Sequence, residues 1–163
     1  MFTRILLASL PLAFSPAPAL AQAHTHAGHT RPADSAFAAL QKRGAGVMGV
    51  DQYTSAHRFD TLDDGGRIEL QRDTSDTAGV RTIREHLRTI ARAFATGDFT
   101  ASENVHAQTV PGTDVMRERR RAIRYDFRAL PGGGEVRITT TDPVALRAVH
   151  EFLAFQRSDH RVH

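Results

Sequence analysis

The sequence predicts an α+β fold: duplicated ββα units forming a four-stranded antiparallel sheet with two long helices on one face. Three observations carry this. Two stretches alternate apolar and polar residues around short turns, two others repeat apolar residues at helical spacing, and the second set matches the first at a fixed offset.

In chain order, Asp34 is a helix N-cap and opens a brief helix that ends at Gly44 or Gly46. From Val50 to Asp60 the pattern alternates, with Tyr53, His57 and Phe59 on one face and Thr54, Arg58 and Asp60 on the other. Asp63-Asp64-Gly65-Gly66 turns the chain, and Arg67 to Arg72 alternates with Ile68 and Leu70 inward. Asp76 caps a helix reaching about Ala95, in which Val80, Ile83, Leu87, Ile90 and Phe94 form one stripe; Gly97 stops it. Gly97–Gly112 shows no element of its own. Ile123, Tyr125 and Phe127 then alternate with Arg124, Asp126 and Arg128. Pro131-Gly132-Gly133-Gly134 turns the chain, and Val136 and Ile138 face in. Asp142-Pro143, an N-cap with proline at the first helical position, starts a second long helix whose stripe is Leu146, Val149 and Leu153, widened by Phe152.

The halves align at an offset of 66, with identities at Arg58/Arg124, Asp60/Asp126, Asp76/Asp142, Arg81/Arg147, Glu85/Glu151 and Leu87/Leu153. The second hairpin is longer by two residues and its link to the helix shorter by two. The resulting organisation is a leader at 1–23, a His-rich segment at 24–35, and one α+β domain at 36–163 with repeats at about 50–97 and 122–158.

The leader has Arg4 as its positive end, a short apolar stretch from Ile5 to Phe14 broken by Pro11, and overlapping small-x-small sites at Ala19-Leu20-Ala21 and Ala21-Gln22-Ala23. This is the pattern of a secretory signal peptide, and it points to an exported protein, periplasmic or else fully secreted, with no membrane span in the mature chain. The chain has no cysteine, which excludes disulfides, iron–sulfur clusters and thiol nucleophiles. Lys42 is the only lysine, so the net charge of +3 rests on arginine, and it is too small to imply a nucleic-acid binder.

All nine histidines follow residue 23. His24, His26 and His29 fall within six residues, a composition that suggests metal binding. Cleavage after Ala21 or after Ala23 puts histidine third in the mature chain. A free amine, two amides and that imidazole then offer a planar nitrogen set suited to copper(II) or nickel(II). Within the domain, His57 lies on the apolar face of the first strand, either as a neutral core histidine or as a ligand. His86 and His150 lie on opposite flanks of equivalent helices, so they should not meet. His106 sits in the long connection, with Met116 close behind it. Either His106 caps a turn and Met116 is core, or the two join His57 or His86 in an imidazole–thioether set for copper(I). Arg117, Arg119, Arg120 and Arg121 form the one basic cluster, read as a solvated face or as a site for an anion or acidic partner. No phosphate loop, nucleophile elbow or HExxH motif occurs.

Gly46-Val47-Met48-Gly49-Val50-Asp51-Gln52, Thr54-Ser55-Ala56-His57-Arg58-Phe59, Ile83-Arg84-Glu85-His86-Leu87, Gly97-Asp98-Phe99 and Val149-His150-Glu151-Phe152-Leu153 resemble a family of small exported bacterial proteins of unknown function. The resemblance covers about residues 44–160. That family is often labelled aspartate carbamoyltransferase, but the Ser-Thr-Arg-Thr phosphate loop and His-Pro motif of that enzyme do not occur here. The resemblance implies export and one intact domain, without a reaction.

The functional expectation is a periplasmic protein that binds or buffers a transition metal through histidine, copper first and nickel or zinc behind it. Two alternatives stand beside it. One is an interaction module docking an unknown periplasmic protein on an Arg-rich sheet face of Thr54, Arg58, Glu69, Arg72, Arg124, Asp126, Arg128, Arg137 and Thr139. The other is a small enzyme.

Overall fold

The computed structural model describes residues 32–162. It is an α+β fold with one four-stranded antiparallel sheet and five helices. In order these are α1 (Pro32–Met48), β1 (Ala56–Leu62), β2 (Gly65–Gln71), α2 (Thr77–Thr96), α3 (Thr100–His106), α4 (Thr113–Glu118), β3 (Ile123–Leu130), β4 (Gly133–Thr140) and α5 (Pro143–Asp159), with a 3₁₀ turn at Arg120–Ala122 before β3. Among the described residues no helix is long and apolar enough to cross a membrane.

The long helices begin where the sequence signals them. The Asp76 carboxylate accepts from Gly79 N at 2.9 Å, and Gly97 ends α2 in the left-handed region at φ 84°. The Asp142 carboxylate accepts from Val144 N at 2.8 Å. Each cap satisfies amides that the first helical turn leaves free. The α2 stripe is buried as predicted. On α5 the buried side is rotated: Ala145, Ala148, Val149, Phe152 and Leu153 are buried, while Leu146 is only half-buried at the margin. The small alanines let that side of the helix approach closely.

The strand order is β1-β2-β4-β3, so β2 and β4 pair at the centre with Ile68 opposite Val136. Each long helix crosses to the other hairpin: α2 lies over β3 and β4, and α5 over β1 and β2. Equivalent side chains hold this exchange in place. Arg84 of α2 donates to the carbonyls of Leu130 (2.6 Å) and Gly133 (2.9 Å), which flank the second hairpin turn. Its repeat partner, His150 of α5, bonds through Nε2 to Leu62 (2.9 Å) and Gly65 (3.0 Å), which flank the first. The two helices thus cap the two turns in the same way. Gly66 is needed for the close packing, because a Cβ there would meet Leu153 Cδ1 at 2.0 Å.

Four sequence expectations are corrected. First, α1 starts at Pro32, ahead of the domain boundary at 36, and runs through Gly44 and Gly46 to Met48; the left-handed residue that ends it is Gly49, at φ 72°. At Gly44 the missing Cβ makes room for the buried Gln52 side chain, 3.0 Å from where a Cβ would sit. Second, β1 begins at Ala56 and not at Val50. Asp51 ties the preceding bend, its carboxylate accepting from Tyr53 N at 2.7 Å and its carbonyl from Ser55 Oγ at 2.9 Å, and Tyr53 is exposed. Third, both turns are two residues long, Asp63-Asp64 and Pro131-Gly132, so the glycines that follow belong to the strands. Fourth, the 97–112 connection carries an element of its own, α3, and its last residue, Gly112, is the N-cap of the next helix, α4. Each is at most seven residues, too short to stand alone, and tertiary packing of Phe99, Val105, Val110 and Met116 holds them.

Candidate functional site

The facing flanks of α2 and α5 leave a cavity of about 70 Å³ above β1 and β2. That is room for a few waters or one ion, and too little for an organic cofactor. β1 contributes His57 and Phe59, β2 Ile68 and Leu70, and α2 His86, Ile90 and Phe94. Phe152 and Gln156 of α5 face them, followed by His160 just beyond that helix. The end of α1 (Val47, Met48) and α3 (Ser102, Val105, His106) complete the wall. The duplication explains part of this lining. His86 and Phe152 are repeat equivalents, as are Ile90 and Gln156, and each pair faces across the cavity.

Four of the domain's histidines therefore line one cavity. His57 points inward because strand alternation puts it on the helix-covered face, one pleat from Phe59. Its pKa is lowered to about 4, first by burial; a hydrogen bond to the Ser55 backbone opposes this, and His86 nearby adds to it. The Nε2 atom of this neutral ring is buried and has no partner among the described residues. The His160 ring stacks on His57 at 5.2 Å between centroids, 17° from parallel, and meets His106 edge-on at 5.2 Å. Burial, with His57 and His106 beside it, pushes His160 down to about 3. His86 is lowered to about 4 by burial alone. Near neutral pH these three rings are uncharged donors.

His106 plays a different part. At the end of α3 its Nδ1 donates to Asp159 Oδ2 at 2.5 Å, and its Nε2 lies 2.8 Å from Gln156 Oε1. Gln156 in turn donates to Ser102 Oγ at 2.7 Å. Both ring nitrogens are thus engaged in tying α3 to α5, and His106 would have to release one of them to ligate an ion. It lines the same cavity as His57 and His86, as a brace rather than a free donor.

The remaining predicted residues lie elsewhere. Met116 of α4 is fully buried in the core and is absent from the cavity wall, so the anticipated His106–Met116 pairing has no basis in the packing. The methionine that lines the cavity is Met48, the last residue of α1. His160 and Met48 are the two site residues that sequence reasoning missed. In the basic cluster, Arg117 pairs with Asp114 (2.6 Å) and Glu103 (3.2 Å), Arg119 with Asp142 (3.2 Å), and Arg120 donates to the Arg117 carbonyl (3.2 Å), while Arg121 is exposed. His24, His26 and His29 lie outside the described residues.

Charged residues on the outer sheet face neutralise one another. Arg67 pairs with Asp60 and reaches both Glu69 and Glu135 at 3.7 Å. Arg124 meets Asp126 at 2.6 Å, Arg128 meets Glu135 at 3.8 Å, and Arg137 meets Asp64. Among the described residues no three His, Asp or Glu side chains converge closely enough to hold an ion as they stand. Comparisons of the chain with protein-family models, with curated proteins and with solved structures return no match.

Proposed function

We propose that this is an exported periplasmic protein that binds a transition-metal ion through histidine, copper ahead of nickel and zinc. One observation carries the reading: the neutral ring of His57 lines an ion-sized cavity together with His86 and His160, and its Nε2 is buried without a partner among the described residues. A buried polar atom without a partner costs stability, and a ligand that supplies the partner offsets that cost. The leader pattern and the resemblance to small exported proteins support the compartment. The His24–His29 tract supports a second, surface-accessible binding element. The docking alternative is weakened, because the outer-face arginines already have carboxylate partners.

The test is titration of the chain from His24 onward with copper, nickel and zinc, with and without residues 24–31. Binding tighter than about millimolar should survive loss of the tract and, in that shortened form, disappear in the His57→Leu/His160→Leu double variant. No binding tighter than that in either form overturns the proposal.

A further inference from the structure

Resting on that reading, we propose that the cavity is a cuprous-ion site, with the imidazoles of His57 and His160 and the thioether of Met48 as donors, and that it discriminates against divalent ions. The donor set is neutral throughout, and no carboxylate lines the cavity. Asp159, the acid that meets the cavity-lining His106, is engaged with that ring and is partly exposed. The cost of moving an ion out of water grows with the square of its charge, so a divalent ion pays about four times what a monovalent one does. A divalent ion normally recovers that cost from anionic ligands or retained water. A 70 Å³ chamber walled by Phe59, Ile68, Ile90 and Phe152 supplies no anionic ligand, and an ion seated in it leaves little of that room for water. Cuprous ion carries a single charge, accepts few ligands, and prefers soft thioether and imidazole donors.

The fold also accounts for the thioether. α1 runs through Gly44 and Gly46, two poor helix formers, before Gly49 ends it. Arg43, in the same stretch, donates from Nε to the Val105 carbonyl at 2.7 Å and fastens this end of α1 to α3.

The experiment uses the chain from His24 onward with His24, His26 and His29 changed to alanine, so that only the domain reports. Cuprous ion is added anaerobically against a chromophoric cuprous chelator, and zinc and cupric ions are titrated separately. One equivalent of cuprous ion should bind at least about 100-fold more tightly than zinc, with a sulfur scatterer in the X-ray absorption spectrum. Met48→Leu, close in volume and so expected to fold, should remove the sulfur signal and weaken cuprous binding about tenfold or more, leaving zinc unchanged. Zinc or cupric ion binding as tightly as cuprous ion would overturn the inference while leaving metal binding standing. A sulfur signal that persists in Met48→Leu would overturn it too. Failure of every ion to bind would overturn the proposed function with it.

Discussion

On the outer face of the sheet, Arg58, Glu69, Glu135 and Arg128 form one cross-strand row, and Asp60, Arg67, Arg137 and Asp126 form the next. Within each row opposite charges face each other across the outer strand pairs, while like charges meet at the centre. The central repulsion is relieved between rows, where Arg67 reaches both glutamates. Under the helices, His57, His86 and His160 are equally polar by composition, yet burial holds them neutral and one of their nitrogens is left unpaired. The outer face spends its polar groups on one another, and the inner face holds donors in reserve. The richer charge pattern is therefore the less informative one about function, and the sparse, incompletely paired one points to a ligand.

Acid should separate the two faces most strongly. An unfolded histidine titrates near 6.5, whereas the folded rings resist protonation down to about 4 for His57 and His86 and about 3 for His160. Below 6.5 the unfolded chain binds more protons than the folded one, so stability is fully present above that pH and is lost as pH falls toward 4. Each ring is worth on the order of 3 kcal/mol when that window has been crossed. The rings titrate as a coupled set, and together they rival the whole stability of a domain. On the outside, Arg137 holds Asp64 down and Arg124 holds Asp126 down, so those carboxylates act only below their ordinary range. Urea unfolding from pH 7.5 to 4 should show a steep loss beginning near 6.5. A flat profile down to pH 4.5 would mean that the rings are solvated.

Phe152→Ala comes next. Phe152 is about 1% exposed, packs edge-on against Phe94 at 5.8 Å, and walls the cavity opposite His86. Removing it should cost about 3–5 kcal/mol, the transfer term plus the enlarged void. Thermal or urea unfolding measures this, and a cost under about 1 kcal/mol would show that the interior collapses and the cavity is not a fixed feature.

The same contrast explains what was legible in the sequence. α2 and α5 announce themselves because a long apolar period and a side-chain cap agree with each other. β1 and β2 do so because alternation places His57 and Ile68 on the same covered face. α3 and α4 could not be read, since neither is long enough to show a period and their helicity comes from packing. His57 and His86 were visible as polar residues on or beside apolar stripes. His160 lies one residue past the end of α5, where periodicity says nothing about direction. Met48 lies beyond two glycines that locally argue for the helix to stop. The cavity is a product of helices crossing to the opposite hairpins, a tertiary arrangement that no local pattern encodes.

His57→Leu should then behave unlike an ordinary core substitution. It removes a buried nitrogen without a partner and puts an apolar side chain of similar size beside Phe59 and Leu70, at the loss of one hydrogen bond to the Ser55 backbone. Stability at pH 7 should hold or rise by up to about 1 kcal/mol, while metal binding is lost. A gain of stability with loss of binding is the signature of a residue kept for its ligand. A loss above about 2 kcal/mol would make His57 a structural residue.

The smallest effect is expected at Arg58 on the outer face. Its guanidinium lies 3.9 Å from Asp60, its side chain is 58% exposed, and it stands opposite Glu69 in the ladder. Neither acid depends on it. Asp60 keeps Arg67 as its main partner, and Glu69 keeps Arg67 together with a 2.7 Å hydrogen bond from Gln71. A long exposed side chain also loses rotamer freedom when it holds one geometry, which offsets much of the Coulomb gain. Arg58→Ala should therefore change stability by less than about 0.5 kcal/mol, with little difference between 0.05 and 0.5 M salt. A cost above about 1 kcal/mol that salt abolishes would mean that the two rows act as one network, and that the order of the outer face is as much a selected feature as the cavity beneath it.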